Sequence, residues 1–115
     1  MTDYSSQHCE ACRADAPLAS PEATEAFLDT HPDWSLLKQD GIDRLVRTYT
    51  FRDFAGALAF TNEIGAIAEA EGHHPALLVE WGQVRVEWWS HKIRGLHEND
   101  FIMAAKCDAV HSRGG

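Results

Sequence analysis

Basic residues are scarce in this sequence, and the scarcity excludes one class of function. The 115 residues include 10 Lys and Arg against 18 Asp and Glu, which gives a formal net charge of −8. A protein that binds the phosphate backbone of DNA or RNA needs a basic face. We therefore expect no nucleic-acid partner.

Long hydrophobic runs are also missing. The longest apolar run covers residues 54–60, counting Gly56, and a membrane span needs roughly 18 apolar residues. Residues 1–17 show no basic start followed by an apolar stretch, so they are not typical of a signal peptide. We expect no membrane association and predict a cytoplasmic location.

Cysteine is too sparse for a disulfide framework, because the chain has only three, an odd number. This fits a reducing compartment. Cys9 and Cys12 have the C-x-x-C spacing of half a zinc site or a redox pair, and the only second half available is Cys107 with His111. Zinc binding would require the N-terminal segment to fold back onto the last helix. We therefore favour thiols without a metal.

Several familiar catalytic motifs do not occur. The sequence has no G-x-G-x-x-G, no Walker loop, no G-x-S-x-G and no H-E-x-x-H. Hydride transfer on a dinucleotide-binding unit and P-loop phosphoryl transfer are thereby disfavoured.

The composition is that of an ordinary globular protein, with 44% hydrophobic and 24% charged residues. The length suits one domain. Residues 1–19 have no periodicity and predict a loose N-terminal arm. Residues 20–115 are predicted to form the single domain.

Hydrophobic periodicity and capping residues predict three helices and four strands. The helices are expected over residues 21–30, 53–71 and 97–110, and the strands over 34–38, 44–51, 76–81 and 84–90. Asp40-Gly41 predicts a hairpin turn between the first two strands. This α-β-β-α-β-β-α order indicates an α+β fold with a four-stranded antiparallel sheet and helices packed on one face.

Histidine is abundant, with seven residues. His73 and His74 follow the long predicted helix and precede Pro75, while His91 follows the last predicted strand. An imidazole, with a usual pKa of about 6.5, can give and take a proton near neutral pH. A solvated polar loop and a metal site built from the same histidines are the alternatives, and the residues alone leave them open.

One extended pattern resembles the signature of the pterin-4a-carbinolamine dehydratase family. It runs Glu69, then His73-His74-Pro75, then Trp81, His91 and Asp100. Other segments are also similar to the family: Trp34 and residues 49–54 (YTFRDF), 57–62 (ALAFTN) and 95–101 (GLHENDF). The resemblance covers residues 20–110, and it is specific because many positions agree at once.

Residues 8–17, HCEACRADAP, resemble bacterial members of the family that accompany phenylalanine hydroxylase. The resemblance implies dehydration of a 4a-hydroxytetrahydropterin to the quinonoid dihydropterin and water. That reaction would recycle the pterin of an aromatic amino acid hydroxylase, a possible partner. No metal or organic cofactor is implied.

The resemblance also implies the site residues. His73, His74 and His91 would be catalytic, with His73 and His91 protonating the leaving hydroxyl and His74 holding the substrate and helping in proton transfer. The substrate-binding set would be Glu69, Pro75, Trp81, Ser90 and Asp100. Structural readings stay open for several of these: Glu69 as a solvated helix carboxylate, Asp100 as an acid that complements the helix dipole, Trp81 as a core residue, and Pro75 as a turn former.

Family members assemble, so the resemblance implies a homodimer or homotetramer. Animal members also serve as protein-binding cofactors of a transcription factor. A non-catalytic protein-binding or regulatory module, including a hydroxylase-stabilising one, is therefore the alternative function.

Overall fold

Three α-helices and a four-stranded antiparallel sheet make up the computed structural model, which describes residues 4–10, 13 and 15–114. The elements are α1 (Pro21–Thr30), β1 (Ser35–Gln39), β2 (Ile42–Thr50), α2 (Phe54–Glu71), β3 (Ala76–Glu80), β4 (Gln83–Trp88) and α3 (Glu98–Gly114), after a short 3-10 turn at Tyr4–Ser6. The predicted α+β class and element order are confirmed. None of the helices in this described part is long and apolar enough to cross a membrane.

The sheet has the order β1-β2-β4-β3, so β1 and β3 are its edges. The β1–β2 hairpin closes through Asp40 and Gly41, both with positive φ (53° and 76°). Two successive positive φ angles suit a tight hairpin turn, which explains the Asp-Gly pair.

Alternating side chains of the central strands build the core. Leu45 and Tyr49 of β2 lie opposite Trp88 and Val84 of β4, and all four are buried. Arg85 and Glu87 lie between the buried β4 positions and are only partly covered. Because side chains alternate across a strand, one sheet face is apolar, and α2 and α3 pack against it.

Local capping explains where the first two long helices begin. The Ser20 side chain accepts from the backbone N–H of Ala23 at 3.0 Å, and Pro21 occupies the first helical position. The Asp53 carboxylate accepts from the N–H of Gly56 at 2.8 Å and caps α2 in the same way.

Three boundaries differ from the sequence prediction by two residues or more. The second strand begins at Ile42 rather than at residue 44. The last strand stops at Trp88 rather than at residue 90, because Ser90 instead pairs with Gly95 in an isolated bridge. The last helix continues past residue 110 to Gly114. The His111 ring packs against Tyr49 and Phe60, with centroid distances of 4.9 and 6.0 Å, and this contact holds the extra turn on the sheet.

Asp108 ties α3 to the sheet. Its carboxylate accepts from Trp34 Nε1 at 3.0 Å, from Arg47 Nη1 at 2.7 Å and from the Tyr49 hydroxyl. Burial, with a smaller contribution from nearby Asp108, raises the pKa of the Tyr49 phenol well above its usual range. Tyr49 therefore stays a hydrogen-bond donor at any physiological pH.

The first described residues, from Tyr4 onward, contact the domain. The Tyr4 ring packs near Phe27 and Phe101, at centroid distances of 5.9 and 5.8 Å, and Lys106 Nζ donates to the Ser5 carbonyl at 2.9 Å. The division into a loose arm over residues 1–19 and a domain from residue 20 stays a prediction.

We predict that Ile64→Ala lowers the free energy of unfolding by about 2–5 kcal/mol, since Ile64 is buried in the core and its removal leaves a cavity. Urea denaturation followed by circular dichroism measures the change. Leu58→Ala on the same helix is the matched control: Leu58 is 41% exposed, so its loss should cost less than about 1 kcal/mol. Equal costs for the two variants would contradict this account of the core.

Candidate active site

A buried carboxylate joins three parts of the fold. Asp100 is fully buried, and its Oδ1 lies 2.6 Å from His73 Nε2. Its Oδ2 accepts from the Ser90 hydroxyl at 2.8 Å and from the His97 backbone N–H at 2.9 Å. Because an ionised carboxylate can only accept, His73 donates to it through Nε2. The other ring nitrogen, Nδ1, can accept a proton when the ring is neutral and donate one when the ring is protonated.

The Asp100 carboxylate also caps the start of α3. His97 precedes the helix, and its Nδ1 accepts from the Asn99 N–H at 3.0 Å, while Asp100 accepts from the His97 N–H. These reciprocal bonds satisfy backbone donors that a helix start leaves unpaired. The Asp100 side chain thus caps the helix and also contacts His73, so its structural interpretation does not conflict with the predicted one.

His73 is buried because α2 ends abruptly before it. Gly72 adopts the left-handed conformation (φ 67°) that commonly ends a helix, and the His73 N–H then donates to the Ala68 carbonyl at 3.2 Å. This turn directs the His73 side chain inward, where it is only 3% exposed. Its ring lies nearly parallel to Trp88, with centroids 5.6 Å apart and an 8° angle between planes. Asp100 and Trp88 together fix the imidazole.

His74 has a different environment from its neighbour. Its side chain is 58% exposed, and its Nε2 lies 2.6 Å from Oε1 of Glu69, which is itself largely exposed. An exposed pair of this kind adds little stability. The contact does orient the imidazole, and it shows that Glu69 meets His74 rather than His73.

His91 is an exposed residue just beyond β4, and it is held by stacking. Its ring lies 4.5 Å from that of Trp89, with 25° between planes. The Arg44 guanidinium lies 3.9 Å from the centroid of the Trp89 ring, and Arg44 Nη1 donates to Glu87 Oε1 at 3.0 Å. Arg44 and Glu87 therefore hold the Trp89 ring in place, and the His91 ring stacks on it.

One cavity brings the three predicted catalytic histidines together. It has a volume of about 340 Å³, and His73, His74, His91 and Ser90 line its wall. That volume is within the range of small-molecule sites, which is roughly 300–1,000 Å³. Two buried imidazoles, those of His73 and His97, and two exposed ones, those of His74 and His91, therefore line the cavity. Such a set is suited to moving protons.

The other predicted site residues lie behind or beside this wall. Asp100 sits beneath Ser90 and His73, and Glu69 contacts His74. Pro75 is partly buried, and Trp81 is 74% exposed next to the β3–β4 turn. Neither Pro75 nor Trp81 is among the described residues that line the cavity. Substrate binding by the five residues stays a prediction.

Several lining residues were not singled out from the sequence. They are Arg13, Ala16, Gly72, Lys92, Ile93, His97 and Asn99. Most of them line the cavity because of where the fold places them, and their residue types do not indicate it. For Asn99 the sequence holds one indication, since Asn99 directly precedes Asp100 at the start of the last helix.

The residues of the suggested zinc site do not come together where the structure describes them. Among described residues, no group of three or more His, Cys, Asp or Glu side chains could hold a metal ion. Cys12 lies outside the described residues. Cys107 is buried in the core, and burial raises the pKa of its thiol to about 12.

We predict that Cys107 resists iodoacetamide at pH 8, because the thiolate is the reactive form and a raised pKa keeps the thiol protonated. Peptide mass spectrometry after labelling, with and without guanidinium chloride, measures this. Modification of Cys107 is expected only in the denatured sample. Rapid labelling in the native protein would contradict the buried placement.

We predict that Asp100→Ala lowers the free energy of unfolding by about 2–5 kcal/mol, since it leaves buried donors on His73, Ser90 and His97 without their acceptor. Glu98→Ala, an exposed acid in the same helical turn, is the control and should change stability by no more than about 0.5 kcal/mol. Thermal and urea unfolding measure both. An Asp100→Ala variant as stable as the wild type would refute the assigned hydrogen bonds.

Comparison with known proteins agrees with the sequence pattern. Residues 16–110 match the sequence model of the family described as Pterin 4 alpha carbinolamine dehydratase. Two curated relatives are each named "Putative pterin-4-alpha-carbinolamine dehydratase". The one from Syntrophotalea carbinolica is 58% identical over 110 residues, covering 96% of this chain and 98% of the relative. The one from Saccharophagus degradans is 51% identical over 111 residues, with the same coverage of 96% and 98%.

Solved structures share the fold. A crystal structure described as a transcriptional coactivator/pterin dehydratase from Brucella melitensis has a TM-score of 0.74 and 28% identity, covering 82% of this chain and 98% of that chain. A pterin dehydratase-like protein described as a RuBisCO assembly factor in the alpha-carboxysome has a TM-score of 0.57 and 22% identity, covering 68% and 88%. At that identity the second likeness concerns the fold alone.

Proposed function

The chain belongs to the pterin-4a-carbinolamine dehydratase family and is a lyase of that class, and we propose that it dehydrates 4a-hydroxytetrahydrobiopterin by histidine acid–base catalysis. The observation that carries the proposal is the common cavity of His73, His74 and His91. The buried Asp100, which hydrogen-bonds His73, supports it.

The reaction needs proton transfer at two points. The bond between C4a and the hydroxyl oxygen breaks with its electron pair going to oxygen, so an acid must protonate that oxygen for water to leave. The lone pair of the adjacent ring nitrogen forms the new double bond to C4a, and that nitrogen then loses its proton to a base. One dihydropterin and one water result, and no electrons are gained or lost.

The environments of the histidines suggest how these tasks are divided. His73 is fixed by Asp100 and Trp88, which suits a group that must keep one geometry. His74 and His91 are exposed, so they can exchange protons with solvent between turnovers. We assign protonation of the leaving hydroxyl to His73 and His91, and we assign to His74 both substrate holding and help in proton transfer. Ser90, which donates to Asp100, contributes to the wall.

The biological role we propose is recycling of the pterin of an aromatic amino acid hydroxylase. It is supported by the similarity of residues 8–17 to members that accompany phenylalanine hydroxylase. A cytoplasmic location and the hydroxylase partner stay predictions.

Self-association also stays a prediction. The exposed apolar residues Leu78 and Trp81, on β3 and beside it, are 53% and 74% exposed. Since β3 is a sheet edge, pairing with a second copy would cover both these residues and the open backbone groups. Static light scattering distinguishes a monomer from the predicted dimer or tetramer.

The alternative function is a protein-binding module on the same fold. The one observation in its favour is that the Brucella relative is described as a transcriptional coactivator as well as a pterin dehydratase. A folded wild-type protein without dehydratase activity would favour this alternative.

We predict that His73→Ala and His91→Ala each lower kcat by about 10²–10⁴, the usual value of a general acid or base. The double variant His73→Ala/His74→Ala should fall to the spontaneous rate. Stopped-flow ultraviolet absorbance with hydroxylase-generated 4a-hydroxytetrahydropterin measures turnover.

The control variant is His31→Gln, which removes an imidazole at the end of α1 that does not line the cavity. It should keep wild-type turnover once circular dichroism shows that it is folded. Full turnover by one of the alanine variants would remove that histidine from the catalytic set. Spontaneous-rate turnover by folded wild-type protein would overturn the proposed activity.

A further inference from the structure

We propose that the described part of the N-terminal segment, residues 8–10, 13 and 15–19, completes the substrate cavity and that Arg13 binds the pterin, an inference that rests on the proposed dehydratase function. The matched family region begins at residue 16, so Arg13 and the contacts of residues 8–10 precede it. Both Arg13 and Ala16 line the cavity that also contains the three histidines.

The first support is a pair of hydrogen bonds between Asn99 and the backbone of Glu10. The Glu10 N–H donates to Asn99 Oδ1 at 2.9 Å, and Asn99 Nδ2 donates to the Glu10 carbonyl at 3.0 Å. Asn99 is only 3% exposed. A buried amide that pairs with both backbone groups of one residue fixes the position of that residue as a neighbouring strand would.

The second support is Glu71, at the end of α2. Its Oε1 accepts from the Cys9 N–H at 2.7 Å, and its Oε2 lies 2.7 Å from His8 Nδ1. The bond from Cys9, followed by that from His8, lowers the pKa of the Glu71 carboxyl. Glu71 is therefore ionised at neutral pH, the state in which both contacts are strongest.

A third contact fixes the far end of the segment. The Ala19 N–H donates to the Leu96 carbonyl at 2.7 Å. Arg13 and Ala16 lie between this bond and the contacts of residues 8–10. The three contact points on the domain are also neighbours of the site: Glu71 precedes His73 by two positions, Asn99 adjoins Asp100, and Leu96 adjoins His97. The segment is thus held against the elements that position the buried histidine.

Arg13 has the chemistry to bind a pterin. Its guanidinium offers several N–H donors in one plane, and a pterin ring has acceptors for them in its carbonyl oxygen and in those ring nitrogens that carry no hydrogen. The Arg13 side chain is 62% exposed, and its ion pair with Asp15 is long, at 3.6 Å, and solvated. Such a weak pair costs little to exchange for a ligand.

The test compares Arg13→Gln with the wild type under the stopped-flow assay. We expect KM to rise about 10-fold or more, the value of a charge-assisted hydrogen bond, while kcat stays within about twofold. The dissociation constant of 7,8-dihydrobiopterin, measured by tryptophan fluorescence, should rise in parallel. Arg52→Gln, at an exposed arginine outside this cavity, is the matched control and should change neither quantity.

A second variant tests the anchoring separately, because Glu71 does not line the cavity. Glu71→Ala should raise KM and also speed tryptic cleavage after Arg13, as followed by mass spectrometry. Glu63→Ala, at an exposed carboxylate on the same helix, should leave both unchanged.

Two results would overturn this proposal while leaving the dehydratase function intact. One is wild-type KM and ligand affinity in Arg13→Gln, which would remove the contact with the pterin. The other is unchanged KM and cleavage in Glu71→Ala, which would show that the anchored segment does not complete the cavity. A folded wild-type protein that neither accelerates dehydration nor binds the dihydropterin would overturn the proposed function, and this inference with it.

Discussion

The rest of the structure depends on the buried carboxylate of Asp100. A charge without solvent is costly unless hydrogen bonds replace the lost water. Asp100 obtains these bonds from His73 after α2, from Ser90 after β4 and from the backbone at the start of α3. The positive end of the α3 dipole favours the same negative charge. Folding therefore assembles the site, because the carboxylate is satisfied only when all three elements are in place.

This arrangement separates one rigid imidazole from two accessible ones. His73 is held by a carboxylate and a parallel indole ring, whereas His74 and His91 each have one exposed contact, with Glu69 and Trp89. A dehydration needs both kinds of group, since the proton must reach a defined oxygen and must also be replaced from solvent. General acid–base catalysis typically contributes about 10²–10⁴ in rate, here to a reaction that also proceeds unaided.

Structural features that depend on contacts within a few residues could be predicted from the sequence. Ser20, Asp53, Gly72 and the Asp40-Gly41 turn each mark a boundary through contacts within about four residues. The resemblance to a known signature located the candidate site as a set of residues. The partners of each residue could not be predicted, because they depend on packing: Asn99 and Glu10 are 89 positions apart, and Trp34 and Asp108 are 74 apart. The longer α3 likewise depends on aromatic rings from the sheet and α2 that pack around His111.

The measurement that tests the central claim most directly is single-turnover stopped-flow dehydration by the wild type and by Asp100→Asn. Asparagine keeps the shape of the side chain but removes the charge that orients His73. The account predicts rapid turnover by the wild type and a loss of about 10²-fold in the variant, with an unchanged circular dichroism spectrum. Full activity in the folded variant would contradict the organising role of Asp100. A wild-type protein no faster than the spontaneous reaction would contradict the proposed function.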